Sequence, residues 1–77
     1  MTVLIKIKLF ASLKRYAPAD ADRYPIEEGI PVAQLIESLG IPPDDVKLIF
    51  VNSVRTSRDH PLTGGERVGL FPPIGGG

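Results

Sequence analysis

The sequence predicts a small α+β domain with four or five strands and one principal helix. Several segments carry apolar residues at every second position, and one longer segment carries them at helical spacing. At 77 residues the chain is short enough for one domain, and neither an internal repeat nor a linker divides it. A content of 43% hydrophobic and 23% charged residues is typical of a folded protein.

The first strand is predicted over residues 3–10. Its apolar positions alternate with lysines, so one face is apolar while the lysines and Phe10 fall on the other face. Residues 11–17 then place apolar side chains at helical spacing, and Pro18 limits that segment to a short helix.

A second strand is predicted over residues 22–27. It contains Pro25, which cannot donate a ladder hydrogen bond, so the strand is expected at the edge of the sheet. The principal helix begins near Pro31, shows an apolar stripe from Val32 onward, and stops at Gly40. That stripe is expected to pack on the apolar face of the first strand.

The second half of the chain predicts the remaining strands. Residues 47–51 include four consecutive apolar side chains, which indicates an internal strand buried on both faces. Asn52 and Ser53 are expected to turn the chain into a short strand at 54–56. The last strand is predicted over residues 67–71.

Two aromatic side chains are expected to point away from the core. On the last strand, Val68 and Leu70 fall on the core face, which leaves Phe71 outside, and Phe10 points outward by the same count. Together they predict an apolar patch that binds a protein partner. Taken singly, each is equally compatible with an isolated exposed apolar residue, which is normal on small domains.

The charge balance and the absence of cysteine exclude several functions. Nine Lys and Arg residues balance nine Asp and Glu residues, which argues against general affinity for nucleic acid. Without cysteine the chain has no disulfide, no thiolate metal site and no cysteine nucleophile. The first residues are interrupted by lysines and form no signal-peptide block, so a cytoplasmic location is expected.

Few side chains suggest catalysis or metal binding. Ser57, Asp59 and His60 have the residue types of a hydrolase triad, but they crowd into four positions of a turn. The acidic pairs at 27–28 and 44–45 lack the further ligands of a cation site and are interpreted as solvated loop residues.

The chain ends in the segment Phe71-Pro72-Pro73-Ile74-Gly75-Gly76-Gly77. The prolines are expected to end the last strand, and the glycines make a slim, flexible end. The sequence therefore predicts a domain at residues 1–71 and a tail at 72–77 that reaches about 20 Å when extended. The reactive group is then the carboxylate of Gly77, although glycine-rich ends also occur simply as frayed termini.

Motifs in three stretches, Val51-Asn52 and residues 59–68 and 70–77, resemble those of molybdopterin synthase small subunits. These belong to the ubiquitin-like MoaD/ThiS sulfur carrier family. Residues 8–13 and the helix that begins at Pro31 fit the same family, so the resemblance covers nearly the whole chain. The Phe-Pro-Pro-x-x-Gly-Gly ending is its most specific part.

The resemblance implies a ubiquitin-like β-grasp fold and a reactive C-terminus. In the family an E1-like (MoeB-like) enzyme uses ATP to adenylate the terminal glycine, here Gly77, which then becomes a thiocarboxylate. The tail with Gly75 and Gly76 would enter the large molybdopterin synthase subunit (MoaE-like). There the sulfur passes to a pterin precursor and builds the dithiolene that binds molybdenum or tungsten. The chain would bind no permanent cofactor or metal and would donate sulfur without being an enzyme on its own.

The resemblance also implies a partner surface around the tail. Two positions depart from the family pattern, because Arg55 stands where an apolar residue is common and Gly64 replaces a usual acidic residue. A carrier for thiamine or another pathway, a ubiquitin-like modifier of lysines and an interaction module with an inert tail remain alternatives. The residues expected to contact partners are Phe10, Arg55, Phe71, Pro72, Pro73 and Ile74.

Overall fold

The computed structural model describes residues 1–73, which form five strands and one α-helix. The strands are β1 (Thr2–Leu9), β2 (Tyr24–Glu27), β3 (Leu48–Val51), β4 (Val54–Thr56) and β5 (Arg67–Phe71), and the helix is α1 (Val32–Ser38). Three short 3-10 helices cover Ala11–Tyr16, Ala21–Arg23 and Pro43–Asp45. No helix within residues 1–73 is long and apolar enough to cross a membrane.

The strands form one mixed sheet in the order β2-β1-β5-β3-β4. The central strands β1 and β5 run parallel, and the other three pairs are antiparallel. The strand β2 lies at one edge, where Pro25 pairs with Leu4, so the expected edge position of this proline is confirmed. A mixed five-stranded sheet that holds one main helix is the β-grasp architecture, and the predicted fold class is confirmed.

One hydrophobic core lies between the inner face of the sheet and α1. The helix contributes Val32, Leu35 and Ile36, each at most 1% exposed, as its apolar spacing predicts. Burying an aliphatic side chain of this size stabilises the fold by about 1.5 to 3 kcal/mol. The other core side chains are Ile5, Ile7, Leu9, Leu13, Ile26, Ile41, Val46, Ile49, Val51, Leu62, Val68 and Leu70.

A distant turn caps the first residues of α1. Pro31 precedes the helix and provides no side-chain cap. The amide of Val32 instead donates to the carbonyl oxygen of His60 at 3.0 Å, and the amide of Ala33 donates to that of Arg58 at 2.9 Å. Two orphan donors of the helix are thereby satisfied by backbone that lies 28 and 25 residues further along the chain.

Three elements differ from the sequence-based expectation. The short helix after β1 is a 3-10 helix, and β2 is shorter than predicted because a 3-10 turn occupies residues 21–23. The strand β3 is internal, as expected, but the prediction that it is buried on both faces is wrong. Ile49 and Val51 are buried in the core, whereas Leu48 and Phe50 are only half-buried, because no layer formed by residues 1–73 covers the outer face of the sheet.

The turn before β5 approaches β1 closely. Gly64 has φ +116°, and a Cβ atom added to it would lie 2.9 Å from Cβ of Val3. The next residue, Gly65, donates its amide to the carbonyl oxygen of Leu4 at 2.7 Å and holds the turn in place. The structure therefore gives a reason for the departure at position 64, because any side chain there meets Val3.

We expect Gly64→Ala to lower the free energy of unfolding by about 2 to 4 kcal/mol, since the positive φ and the contact with Val3 both oppose a side chain. The matched control is Gly65→Ala, which has φ +81° but open space around its Cβ position. It should lose only about 1 to 2 kcal/mol. Urea denaturation of both variants measures the difference. Equal losses in the free energy of unfolding would show that the contact with Val3 does not destabilise the Gly64→Ala variant.

Candidate functional site

On the outer face of the sheet, the ring of Phe71 contacts two other phenylalanine rings. The rings of Phe10 and Phe71 are stacked, with centroids 4.0 Å apart and an angle of 4° between their planes. Phe50 meets Phe71 edge-on, with centroids 5.5 Å apart and an angle of 74°. We call these three residues the aromatic patch. Each ring is half-buried because the rings cover one another, and such contacts contribute about 0.5 to 1.5 kcal/mol beyond area burial.

A glycine at the centre of the sheet makes room for the aromatic patch. In the strand register Gly69 lies between Lys8 on β1 and Phe50 on β3. A Cβ atom at this position would already be in van der Waals contact with Cε2 of Phe10 at 3.5 Å, so a side chain longer than that of alanine would extend into the space beside the rings. The result is a groove of about 500 Å³ lined by Lys8, Phe10, Phe50, Ser53, Arg67, Val68, Gly69 and Phe71.

The structure brings together the two aromatic residues that the sequence singled out. Phe10 and Phe71 both lie on the outer face, as strand alternation predicts, and they are in direct contact. Sequence reasoning missed Phe50, because its strand was expected to be covered on both sides. The signal was present, since Ile49 and Val51 face the core and alternation leaves Phe50 outside.

The last strand ends within the aromatic patch, at the residue that precedes the predicted tail. The carbonyl oxygen of Phe71 accepts a hydrogen bond from the amide of Lys47 at 2.7 Å. Pro72 and Pro73 follow and have no amide hydrogen to continue the ladder, so β5 ends at Phe71. Pro72 is buried and Pro73 is exposed. The remaining predicted tail residues, Ile74, Gly75, Gly76 and Gly77, lie outside the described residues, so their roles and the division at residue 71 stay predictions.

Arg55 lies on the same face as the aromatic patch. It pairs with Phe50 in the antiparallel register of β3 and β4, so the two side chains emerge on one side of the sheet. One of the two positions that depart from the family pattern is therefore a cationic residue directly opposite Phe50 in the strand register. Its role in partner binding remains a prediction.

A buried carboxylate holds the turn that leads into β5. Glu66 is 8% exposed, and its Oε2 accepts hydrogen bonds from the amide of Thr63 at 2.7 Å and from its hydroxyl at 3.1 Å. Its Oε1 accepts one from the amide of Gly64 at 2.6 Å. Burial raises the pKa of Glu66, but the hydrogen bonds from Thr63, Gly64 and its own amide outweigh burial, and the pKa lies below its ordinary value.

Because the pKa of Glu66 is lower in the folded state, its ionised form stabilises the fold. That contribution is complete above the pKa of the unfolded chain, about 4.3, and is lost as the pH falls through the lower folded value. We expect Glu66→Gln to cost about 1 to 3 kcal/mol at neutral pH, since an amide cannot accept all three hydrogen bonds. The variant should also lose less of its stability between neutral and acidic pH than the unchanged protein.

Thermal unfolding at a series of pH values tests this expectation. The matched control is Glu37→Gln, which neutralises an exposed carboxylate on α1. Identical acid profiles for Glu66→Gln and Glu37→Gln would contradict the role assigned to Glu66.

The weaker catalytic candidates do not form a site in the described part of the chain. Between residues 1 and 73 no hydrogen bond joins the side chains of Ser57, Asp59 and His60, and the amide of His60 donates to the carbonyl oxygen of Ser57 at 3.2 Å. The same residues contain no cluster of three or more His, Cys, Asp or Glu side chains that could hold a metal ion.

The fold and the aromatic outer face define a ubiquitin-like β-grasp domain, and comparisons with known proteins agree. The chain belongs to the ThiS family, whose sequence model matches residues 7–77. It is 33% identical over 81 residues to the molybdopterin synthase sulfur carrier subunit of Escherichia coli K12, covering 96% of this chain and 100% of that protein.

Solved structures show the same fold. A putative molybdopterin converting factor subunit 1 from Pyrococcus furiosus is 34% identical with a TM-score of 0.66, over 94% of this chain and 99% of that one. The small archaeal modifier protein 1 of Haloferax volcanii has a TM-score of 0.68 over 94% of this chain and 99% of that one. At 18% identity the second likeness concerns the fold alone. The family resemblance that the motifs indicated is confirmed.

Proposed function

We propose that this chain is the sulfur carrier for a molybdopterin synthase, with a thiocarboxylate on Gly77 as the sulfur donor. The observation that carries the proposal is the near full-length similarity to a molybdopterin synthase sulfur carrier subunit. The end of β5 at Phe71 supports it, because two prolines follow at once and the tail leaves the sheet beside the aromatic patch.

The proposed chemistry begins at the C-terminal carboxylate of Gly77. A carboxylate is a poor electrophile, so its oxygen first attacks the α-phosphorus of ATP, which forms an acyl-adenylate and releases pyrophosphate. A hydrosulfide equivalent then attacks the carbonyl carbon. The new C–S bond replaces the C–O bond to AMP, a proton is released, and the product is the thiocarboxylate.

The partner proteins supply the substrate sites and the catalytic groups. An E1-like adenylating enzyme provides the ATP site, and the large synthase subunit provides the pterin site and the acid or base groups. A dithiolene contains two sulfur atoms, so two loaded carriers serve one pterin. The chain itself contributes a docking surface, the aromatic patch, and a tail thin enough to enter a narrow channel.

Reconstitution separates this function from its alternatives. Thiocarboxylated protein is incubated with the large synthase subunit of the same organism and the pterin precursor, and dithiolene formation is expected. Sulfur transfer to a thiazole precursor without any dithiolene would assign the carrier to thiamine synthesis. Isopeptide-linked ladders on cellular proteins, with no dithiolene in the assay, would indicate a ubiquitin-like modifier.

A further inference from the structure

Positive charges surround the aromatic patch. The outward strand positions carry four cations on β1, β4 and β5, while in residues 1–73 a single acidic side chain, Glu27, occupies such a position. Glu27 lies on the edge strand β2 and pairs with the amino group of Met1 at 3.0 Å. Although the net charge of the chain is zero, the outer face of its sheet is therefore positively charged. The four cations are Lys6, Lys8, Arg55 and Arg67.

The strand register places these cations at both sides of the patch. One row across the sheet reads Lys8, Gly69, Phe50 and Arg55, so a cation lies on each side of the Phe50 ring and its neighbouring glycine. Lys8 and Arg67 line the groove itself, and Arg55 continues the positive charge on the far side of Phe50. This arrangement suits an apolar group that enters at the centre and carboxylates that approach from the sides.

A second row contains two like charges directly opposite each other. Lys6 on β1 pairs with Arg67 on β5, both side chains are exposed, and like charges in this position repel. Within the part of the chain that the structure describes, neither has a carboxylate within 4.0 Å, since the salt bridge found there joins Met1 and Glu27. No carboxylate among residues 1–73 offsets this repulsion, whereas a bound acidic surface would.

We propose that the outer face binds a protein surface with acidic side chains around an apolar centre, and that the four cations steer its association. The proposal deepens the proposed function and rests on it, because the partner concerned is the adenylating enzyme that loads the carrier. A protein fits better than a nucleic acid, because Phe10 and Phe71 use their ring faces on each other and leave less surface for stacked bases.

The test compares two double variants that change the net charge equally. Lys8→Glu with Arg67→Glu reverses charge beside the groove, and Lys14→Glu with Arg23→Glu reverses it on exposed 3-10 segments outside the sheet. Association with the purified adenylating enzyme of the same organism is followed by stopped-flow fluorescence from low to high NaCl. The Lys8→Glu/Arg67→Glu protein, the groove variant, should associate at least about 10-fold more slowly than the unchanged protein at low salt. This difference should shrink as salt screens the charges.

The outcomes separate this proposal from the proposed function. Control association within about 3-fold of the unchanged protein, with full thiocarboxylate yield for the unchanged protein and the Lys14→Glu/Arg23→Glu control, supports the proposal. Equal slowing by both variants, or salt-independent association of the unchanged protein, overturns it while the carrier function stands. No thiocarboxylate on the unchanged protein overturns both. A fluorescent single-stranded oligonucleotide that binds the unchanged protein and not the groove variant would also overturn it.

Discussion

Deletion of Gly76 and Gly77 is expected to abolish sulfur transfer completely while the fold survives. The described core lies between the sheet and α1 and takes no side chain from beyond Leu70, so the domain should keep its stability. The shortened chain would end two residues too early for its carboxylate to reach the ATP site of the adenylating enzyme. A near-attack geometry contributes about 7 to 11 kcal/mol to such a reaction, and a displaced carboxylate loses it.

Dithiolene formation and thermal unfolding are measured together on the deletion variant. The control adds one alanine after Gly77, which keeps both glycines and moves the carboxylate outward. It should be inactive as well, because activation depends on the position of the C-terminal carboxylate and not only on the presence of the two glycines. Full sulfur transfer by the deletion variant, or adenylation of the extended variant at the normal rate, would contradict the assignment of Gly77.

The second large effect is expected from Phe71→Ala. Phe71 is the central ring of the aromatic patch, since it contacts both Phe10 and Phe50. Truncation removes the anchor and leaves Phe10 and Phe50 without the ring that each of them contacts. We expect affinity for the adenylating enzyme to fall about 10- to 100-fold, the range for a central aromatic anchor. Because the ring is half-buried, the free energy of unfolding should fall by only about 1 to 2 kcal/mol.

Isothermal titration calorimetry with the adenylating enzyme measures the affinity of Phe71→Ala. The matched control is Leu4→Ala, which truncates an apolar side chain on the outer face of β1 that is 43% exposed and pairs with the edge strand β2. It should bind normally. If Leu4→Ala and Phe71→Ala weaken binding equally, partner recognition is spread over the sheet and does not centre on the aromatic patch.

Local patterns were sufficient to predict most elements of the fold. Alternation along β1 and the spacing of Val32, Leu35 and Ile36 depend on near neighbours, so the sequence reveals them directly. The backbone cap that His60 and Arg58 give to α1 is different. This cap joins segments that are far apart in the chain. No local sequence pattern predicts which distant carbonyl oxygen will accept a hydrogen bond from the first turn of a helix.

In the candidate site, too, local patterns predicted which side chains point outward but not which of them come into contact. Phe10 and Phe71 were found because each sits at the end of a strand with clear alternation. Their stacking depends on the parallel pairing of β1 with β5, and Phe50 joins them only because β3 is the next strand in the sheet. The close approach of Gly64 to Val3 is likewise a property of the assembled sheet.

The central claim is that Gly77 carries the sulfur, and the intact mass of the protein tests it most directly. The protein is incubated with ATP, a sulfide source and the adenylating enzyme of the same organism, and then weighed by mass spectrometry. The account predicts the exchange of one oxygen for sulfur, located at Gly77 and absent after deletion of Gly76 and Gly77. An unchanged mass, with the enzyme shown to be active on another carrier, would contradict it.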